Sequence, residues 1–513
     1  MAEREWREAS DMRQSTLTLV AILAVAAVLR FWGLGAGLPH APGIDEPEIM
    51  NRAVGMMKSG DFHPHFFDYP TLYIYVQLIV STVQFLLGAT AGTWRSLADV
   101  GPVDFYLWGR AVTATLGVLT VLLVYVAGMR WGTRHALFAA TLMAVIPLHV
   151  RESHYVLTDV PVTFFVALAF VLTLRASEHQ RAMSFAWAGA AAGLAAATKY
   201  TGGIVLVLPL LAAWMSPGTK PSRLSAALGV LGGCLAGYLL AAPYTVLDLP
   251  AFLNGYAKLA GSYAGGSPEP GWPISFKHLQ NSLKWPATIA VLSGLVFGIV
   301  RAIRGPGRVR WTIAVVFPVL YFWFVSRQAL IFGRYLLPLL PFVCVLAGAA
   351  VVSGVSLLRR YEIPRRPRTL LITALTVLTL LPPAIESVKW NRMISRTGTV
   401  DLAYRWITEH VPQGASVTME CKRFDLPSDR YRIATVRQLR ERDYAYYVDT
   451  DVDYLVASSQ CYGPYFTNPQ NHVAEYAEYM RIFEQSRELV RFTPTAEHPG
   501  PELRVFRVRS SKP

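Results

Sequence analysis

Long apolar runs separated by short polar links occupy the first three quarters of the chain. A membrane-spanning helix needs about 20 apolar residues, because the hydrocarbon core is about 30 Å thick and each residue rises about 1.5 Å. Runs that meet or approach this length fall at 16–37, 104–128, 136–150, 160–175, 184–198, 201–216, 223–243, 284–302, 311–325, 335–357 and 369–387. They predict an α-helical polytopic membrane protein of about eleven spans. The first run is too long for the apolar part of a cleaved signal peptide and no small-residue cleavage site follows it, so it is expected to stay as an anchor behind a cytoplasmic tail, 1–15. Beyond residue 388 the pattern shortens. Helical spacing in "DLAYRWITEHVP" and "HVAEYAEYMRIFEQSREL", with strand-like runs "ASVTME", "DYLVASS" and "ELRVFRV", predicts a small external α/β domain over 388–513.

A further apolar stretch, 69–88, is decided by charge. Cytoplasmic loops collect Lys and Arg, and five short links do so here: Arg130 and Arg134; Arg175 and Arg181; Lys220 and Arg223; Arg301, Arg304, Arg308 and Arg310; and Arg359, Arg360, Arg365, Arg366 and Arg368. All five share one side only if 69–88 lies in, or dips into, the outer face. The alternative is that 69–88 crosses and a shorter run, such as 136–150, does not.

Composition agrees with this layout. Of 513 residues, 53% are apolar and only 16% charged, against about 25% charged in ordinary soluble chains. The net charge of +14 would suit a nucleic-acid binder, but it gathers in the five links and is a topology signal. Four cysteines (Cys234, Cys344, Cys421 and Cys461) are too few for a disulfide scaffold and lack zinc-site spacing. Cys421 and Cys461, in an oxidising compartment, would be either bridged or two free buried thiols.

Candidate chemistry sits in the links on the other side. The first external loop, 38–103, places Asp45 and Glu46 in a Pro/Gly-bounded turn just after the first span, followed by His63, His65, Asp68 and Tyr69. Loops on a rigid scaffold commonly carry function; a solvated acidic loop is the plainer alternative. His63 and His65 could ligate a divalent metal with Asp45 or Asp68, although paired histidines in such a loop are more often simply exposed. The link "RESHYVLTD" holds Arg151, His154 and Asp159 between two spans. Arg151 could snorkel and Asp159 could cap its helix, but ionisable groups at a membrane boundary otherwise face a cavity or each other. Lys199 in "TKYTGG" and Arg334, followed by Tyr335, in "FGRYLLPLLP" also reach the outer face. Cations beside acids suit a phosphate-bearing substrate, to which Arg offers a fork and Lys a point charge. The chain has no P-loop, HExxH or GxSxG element, which disfavours an ATP-driven pump, a zincin and an α/β-type serine hydrolase.

An Asp-Glu pair in a long first loop, a second loop of form R-x(7)-D, a late "RYLLPLLP" and a C-terminal external domain together resemble the GT-C class of polytopic glycosyltransferases. Among them, the protein O-mannosyltransferase and aminoarabinose-transferase branch is the most similar. The resemblance covers the chain to about residue 390. It implies a glycosyltransferase in the cell inner (plasma) membrane, with juxtamembrane helices in the first loop and its site on the external side. The sugar would move from a polyprenyl-phosphate donor to a protein, glycan or lipid acceptor. By the same resemblance, Asp45 is the general base with Glu46 beside it, and Asp159 and Arg151 orient acceptor or donor. Lys199 and Arg334 then hold the phosphate, His154, Tyr335, Asp68 and Tyr69 contribute to binding, and 16–387 forms the transferase domain. Where the family often has "PP" after a basic residue, this chain has "DYPT" at 68–71. A secondary transporter or lipid flippase is the rival class; it predicts internal repeats and midplane charges, whereas the polar residues here gather at one face.

Overall fold

The computed structural model describes residues 2–509 except 42, 44, 217–221, 264–269, 359–364 and 422–423. The link residues Lys220, Arg359 and Arg360 therefore lie outside the described residues. The chain divides into two compact units: a helical unit, Met1–Leu34 with Glu48–Asn391, and a C-terminal unit, Gly35–Pro47 with Arg392–Pro513.

The helical unit runs α1 (Ala2–Phe31), α2 (Glu46–Ser59), α3 (Leu72–Thr90), α4 (Tyr106–Gly128), α5 (Thr133–Val145), α6 (Pro147–Glu152), α7 (Asp159–His179), α8 (Ala182–Thr198), α9 (Val207–Trp214) and α10 (Arg223–Ala241). It continues with α11 (Tyr244–Leu247), α12 (Leu249–Tyr263), α13 (Gly271–Arg304), α14 (Arg308–Val325), α15 (Leu340–Leu358) and α16 (Arg365–Ile394). Among the described residues nine helices are long and apolar enough to cross a membrane.

By length four assignments change: 69–88 becomes long enough to cross, and the runs at 136–150, 184–198 and 201–216 give shorter helices. The stretch 69–88 forms α3, a 19-residue helix that meets the crossing criterion, whereas the 136–150 run becomes the 13-residue α5, only about 20 Å long at 1.5 Å per residue. Helix lengths therefore fit the alternative, with 69–88 crossing, better than the version drawn from charge.

Pro147 is the reason α5 stops. It has no N–H to give the carbonyl four residues back, and unsatisfied carbonyls are costly in an apolar surround. Arg30, fully buried near the end of the apolar second half of α1, meets that need. Its guanidinium donates to the carbonyls of Ala144 at 3.0 Å and Met143 at 3.1 Å, and its Nη2 lies 2.9 Å from His149 Nδ1. The Ser387 hydroxyl donates to the Val145 carbonyl at 2.8 Å. A buried cation in a spanning helix thus fastens the broken α5–α6 corner that delivers Arg151 and Glu152.

Small residues fix the next pair. A Cβ added at Gly189 or Gly193 of α8 would overlap the carbonyl oxygens of Val230 or Cys234 of α10. Close backbone approach of this kind is the usual means of helix association in lipid. It sets the height of the α8 C-terminus, where Lys199 follows.

In the C-terminal unit five strands, β1 (Ser416–Glu420), β2 (Arg432–Val436), β3 (Tyr454–Ser458), β4 (Arg487–Phe492) and β5 (Leu503–Arg507), form one sheet in the order β2-β1-β3-β5-β4. β2, β1 and β3 are parallel, and β5 pairs antiparallel with β3 and β4. Strand alternation fills two cores. Val417, Met419, Val456 and Val505 pack with Ala403 and Ile407 of α17 (Thr399–His410). Leu455, Ala457 and Phe506 pack with α18 (Tyr444–Asp449), α19 (Ser459–Thr467) and α20 (Val473–Gln485) on the opposite face. Cys421 and Cys461 form a disulfide that joins the end of β1 to α19. The expected helix 472–489 is too long, because it breaks at Ser486 and β4 begins at Arg487.

Candidate functional site

Three charged residues expected to matter converge in the helical unit. Asp159 opens α7, Lys199 follows α8, and Arg334 lies in the 3-10 turn Gly333–Leu339. Lys199 Nζ lies 2.7 Å from Asp159 Oδ1, and Arg334 Nε lies 3.9 Å from Asp159 Oδ2. Asp159 is nearly buried, with its side chain 5% exposed, while Lys199 and Arg334 keep 15% and 24%. Asp159 is not the cap of α7: that position is Thr158, whose side chain makes no capping bond. The carboxylate is instead committed to two cations, which leaves the trio one positive charge in excess.

Lys199 and Tyr335 face a cavity of about 570 Å³ that is also lined by Asp68, Tyr69, Tyr200, Tyr256, Tyr263 and Tyr321. The Lys199 ammonium sits 4.4 Å from the centre of the Tyr335 ring, within range of a cation–π contact. The Tyr335 hydroxyl is 2.9 Å from that of Tyr263, and Tyr321 donates to Thr201 at 3.3 Å. Tyr200 donates to the Phe67 carbonyl at 2.9 Å, which ties the 60–71 loop and its Asp68–Tyr69 pair to the cavity wall. Aromatic faces with polar tips suit a ring bearing hydroxyls; Lys199 is the cation in a lining that also holds Glu48 and Asp68, and it offers a point charge to an anionic group.

Arg151 is held beside this trio by Glu152, its Nη2 2.6 Å and Nε 2.8 Å from Glu152 Oε1. Glu152 is buried, and burial pushes its carboxyl above the ordinary range, against the pull of Arg151. In sequence Glu152 is legible in "RESHYVLTD" as the acid next to Arg151. The tyrosines gave no signal, because separate segments supply them.

His154 is buried, with Nδ1 2.8 Å from the Val150 carbonyl and Nε2 3.1 Å from the Trp32 carbonyl. Both ring nitrogens face main-chain carbonyls, and the neutral ring donates to one of them, so His154 packs between α6 and the end of α1. His63 and His65, the candidate metal ligands, make hydrogen bonds to neighbouring groups. His63 Nδ1 accepts from the His65 amide at 2.8 Å, which leaves Nε2 as the N–H that donates to Asp248 at 3.0 Å. His63 therefore has no lone pair for a metal. His65 pairs separately with Asp61 at 2.9 Å. Among the described residues no group of three or more His, Cys, Asp or Glu is placed to hold a metal ion.

Asp45 and Glu46 belong to the C-terminal unit. Glu46 is buried and its carboxylate accepts from the Gly43 amide at 2.5 Å, while its own amide donates to the Gly43 carbonyl at 3.1 Å. This closes the turn on which Asp45, half-buried, sits.

Comparison with known proteins adds the class. Residues 73–258 match the family model of dolichyl-phosphate-mannose-protein mannosyltransferase. No curated protein sequence matches significantly. ArnT from Cupriavidus metallidurans, solved bound to undecaprenyl phosphate, superposes with a TM-score of 0.55 at 16% identity over 96% of this chain and 98% of that one. The Archaeoglobus fulgidus oligosaccharyltransferase superposes with a TM-score of 0.58 at 12% identity, covering 95% of this chain and 74% of that one. The chain thus has the fold of these polytopic membrane glycosyltransferases along nearly its whole length.

Proposed function

We propose that the protein transfers a sugar from a polyprenyl-phosphate donor to an acceptor at the outer face of the cell membrane, with inversion at the sugar carbon. The observation that carries this reading is the tyrosine-lined cavity with Lys199 beside Asp159 and Arg334. A lipid phosphate is a good leaving group as the anion and needs no proton. Lys199 and Arg334, with Arg151 held by Glu152, are suited to stabilise the charge that develops on it as the bond from carbon to phosphate oxygen breaks. The acceptor oxygen or nitrogen forms the new bond from the opposite face. Its proton passes to Asp45 as general base, a role taken from the position of Asp45 in the Asp-Glu pair. Glu46 serves by shaping the turn. The outer-face placement is supported by four of the five positively charged links, all but Arg130 and Arg134, which stay on the other side with 69–88 crossing and 136–150 not, and by the Cys421–Cys461 bridge, which suits an oxidising compartment.

Membranes containing the protein, supplied with a panel of radiolabelled prenyl-phosphate sugars, test the reading. One donor should label an acceptor, and Arg334→Ala should raise the donor concentration needed. A transporter or flippase would move the labelled lipid without releasing prenyl phosphate, and that outcome would defeat the proposal.

A further inference from the structure

The first loop is not a free appendage of the spans. Within the C-terminal unit the His40 ring stacks on Tyr404 of α17, with centroids 3.6 Å apart and planes 16° from parallel. The His40 carbonyl accepts from the Asp425 amide at 2.8 Å, and Ala41 packs on the core that holds Tyr404 and Phe424. Tyr404 is itself braced edge-on by Phe424 at 6.2 Å. Before this anchor, Gly37 adopts a positive φ of 73° and its carbonyl accepts from the Ala41 amide at 2.5 Å, so the backbone reaches His40 through a closed turn. After it comes the Gly43–Glu46 turn that presents Asp45. One fold therefore contains both a sheet domain and the segment that carries the acid.

We infer that the C-terminal domain holds the first-loop acid in its working position, and that Tyr404 and His40 are positioning residues for Asp45. The domain is then part of the catalytic apparatus. Catalysis is sensitive to small displacements of a reacting group, and a turn of a few residues has no packing of its own sufficient to fix one carboxylate. The stack, the main-chain bond to Asp425 and the Ala41 contact supply that packing. This inference rests on the reading of Asp45 as the base.

The test compares Tyr404→Ala, His40→Ala, their double variant, Tyr404→Phe and Asp45→Asn in purified full-length protein. Donor binding, kcat and the Cys421–Cys461 bridge are measured on each. Loss of the stack should lower kcat at least tenfold in Tyr404→Ala, with donor affinity unchanged and the bridge intact. His40→Ala should do the same, the double variant should be no worse than the poorer single, and Tyr404→Phe should restore wild-type kcat. Wild-type kcat in Tyr404→Ala, or a loss that Tyr404→Phe does not restore, would overturn the inference while leaving the base assignment standing if Asp45→Asn is inactive. An active Asp45→Asn would instead remove the assignment on which the inference rests.

Discussion

Replacing Lys199 by Met separates the two things the Asp159 trio can do. Lys199 is the near partner of a carboxylate that is only 5% exposed. Removing one member of a buried pair costs about 3–5 kcal/mol, because the other is left uncompensated. Arg334 remains 3.9 Å away, and at an effective dielectric near 20 two unit charges about 4 Å apart still attract by about 4 kcal/mol before desolvation is counted. Part of the loss is therefore recovered, and the single variant should be destabilised by roughly 2–4 kcal/mol. A second change, Asp159→Leu, removes the orphaned acid. Because apolar replacement of a buried pair is often neutral, Lys199→Met with Asp159→Leu should recover most of the stability. Donor binding should not recover. A charge-assisted hydrogen bond contributes about 1.5–3 kcal/mol, so the apparent donor affinity should stay about 10- to 150-fold weaker in both variants. Thermal unfolding in detergent gives the first quantity and titration with a prenyl phosphate the second. A double variant that binds the prenyl phosphate as wild type does would show that the pair only holds the helices together, and the phosphate assignment would fall.

Further outcomes follow from other parts of the fold. Gly189→Leu should prevent α8 from closing on α10 and sharply reduce folded protein, judged by monodisperse yield, whereas Gly232→Ala, which meets nothing within 4 Å, should leave it unchanged. The Cys421–Cys461 bridge closes a separation of 40 residues, so Cys461→Ser should cost the C-terminal unit about 4 kcal/mol by chain entropy; two alkylatable thiols at these positions in the oxidised wild type would contradict it. Glu488 is held down to about 2 by hydrogen bonds from Arg491 and then Arg504. A depressed acid stabilises the fold above its unfolded value, near 4.5, and loses that contribution as pH falls towards 2. Glu488→Gln should therefore flatten the acid limb of the unfolding curve below pH 4.5, and an unchanged limb would refute the pairing.

The apolar runs carried most of the helical unit, because a spanning helix must be long and continuous. They misjudged 136–150, where Pro147 divides an apolar run that a count of hydrophobic residues reads straight through. Charge placed 69–88 in, or dipping into, the outer face, but positive-inside bias speaks about links and not about the helix between them. In the C-terminal unit the buried strands β1, β3 and β5 were legible, since they are short runs rich in apolar and β-branched residues, β1 and β3 buried at nearly every position. β2 was not, because it lies at the sheet edge with Arg432 to Thr435 exposed and little apolar pattern; β4 was absorbed into the helix before it. Asp159, Lys199 and Arg334 stood out because charges at the ends of apolar runs must find water or one another. The tyrosine wall could not stand out, because only folding brings Tyr200, Tyr263, Tyr321 and Tyr335 to one cavity. The hydrogen bonds of His63, His65 and His154 were not legible either, because Asp248 and the Trp32 carbonyl come from distant segments.

The division of labour between phosphate-holding cations and an acid that takes the acceptor's proton is tested most directly by single-turnover transfer from a labelled polyprenyl-phosphate donor, with donor binding measured on the same preparation, in wild type and Asp45→Asn. General-base catalysis is typically responsible for about 10²- to 10⁴-fold in rate. Asp45→Asn should bind the donor as wild type does and transfer sugar at least about a hundredfold more slowly. Transfer at the wild-type rate by Asp45→Asn would contradict the account.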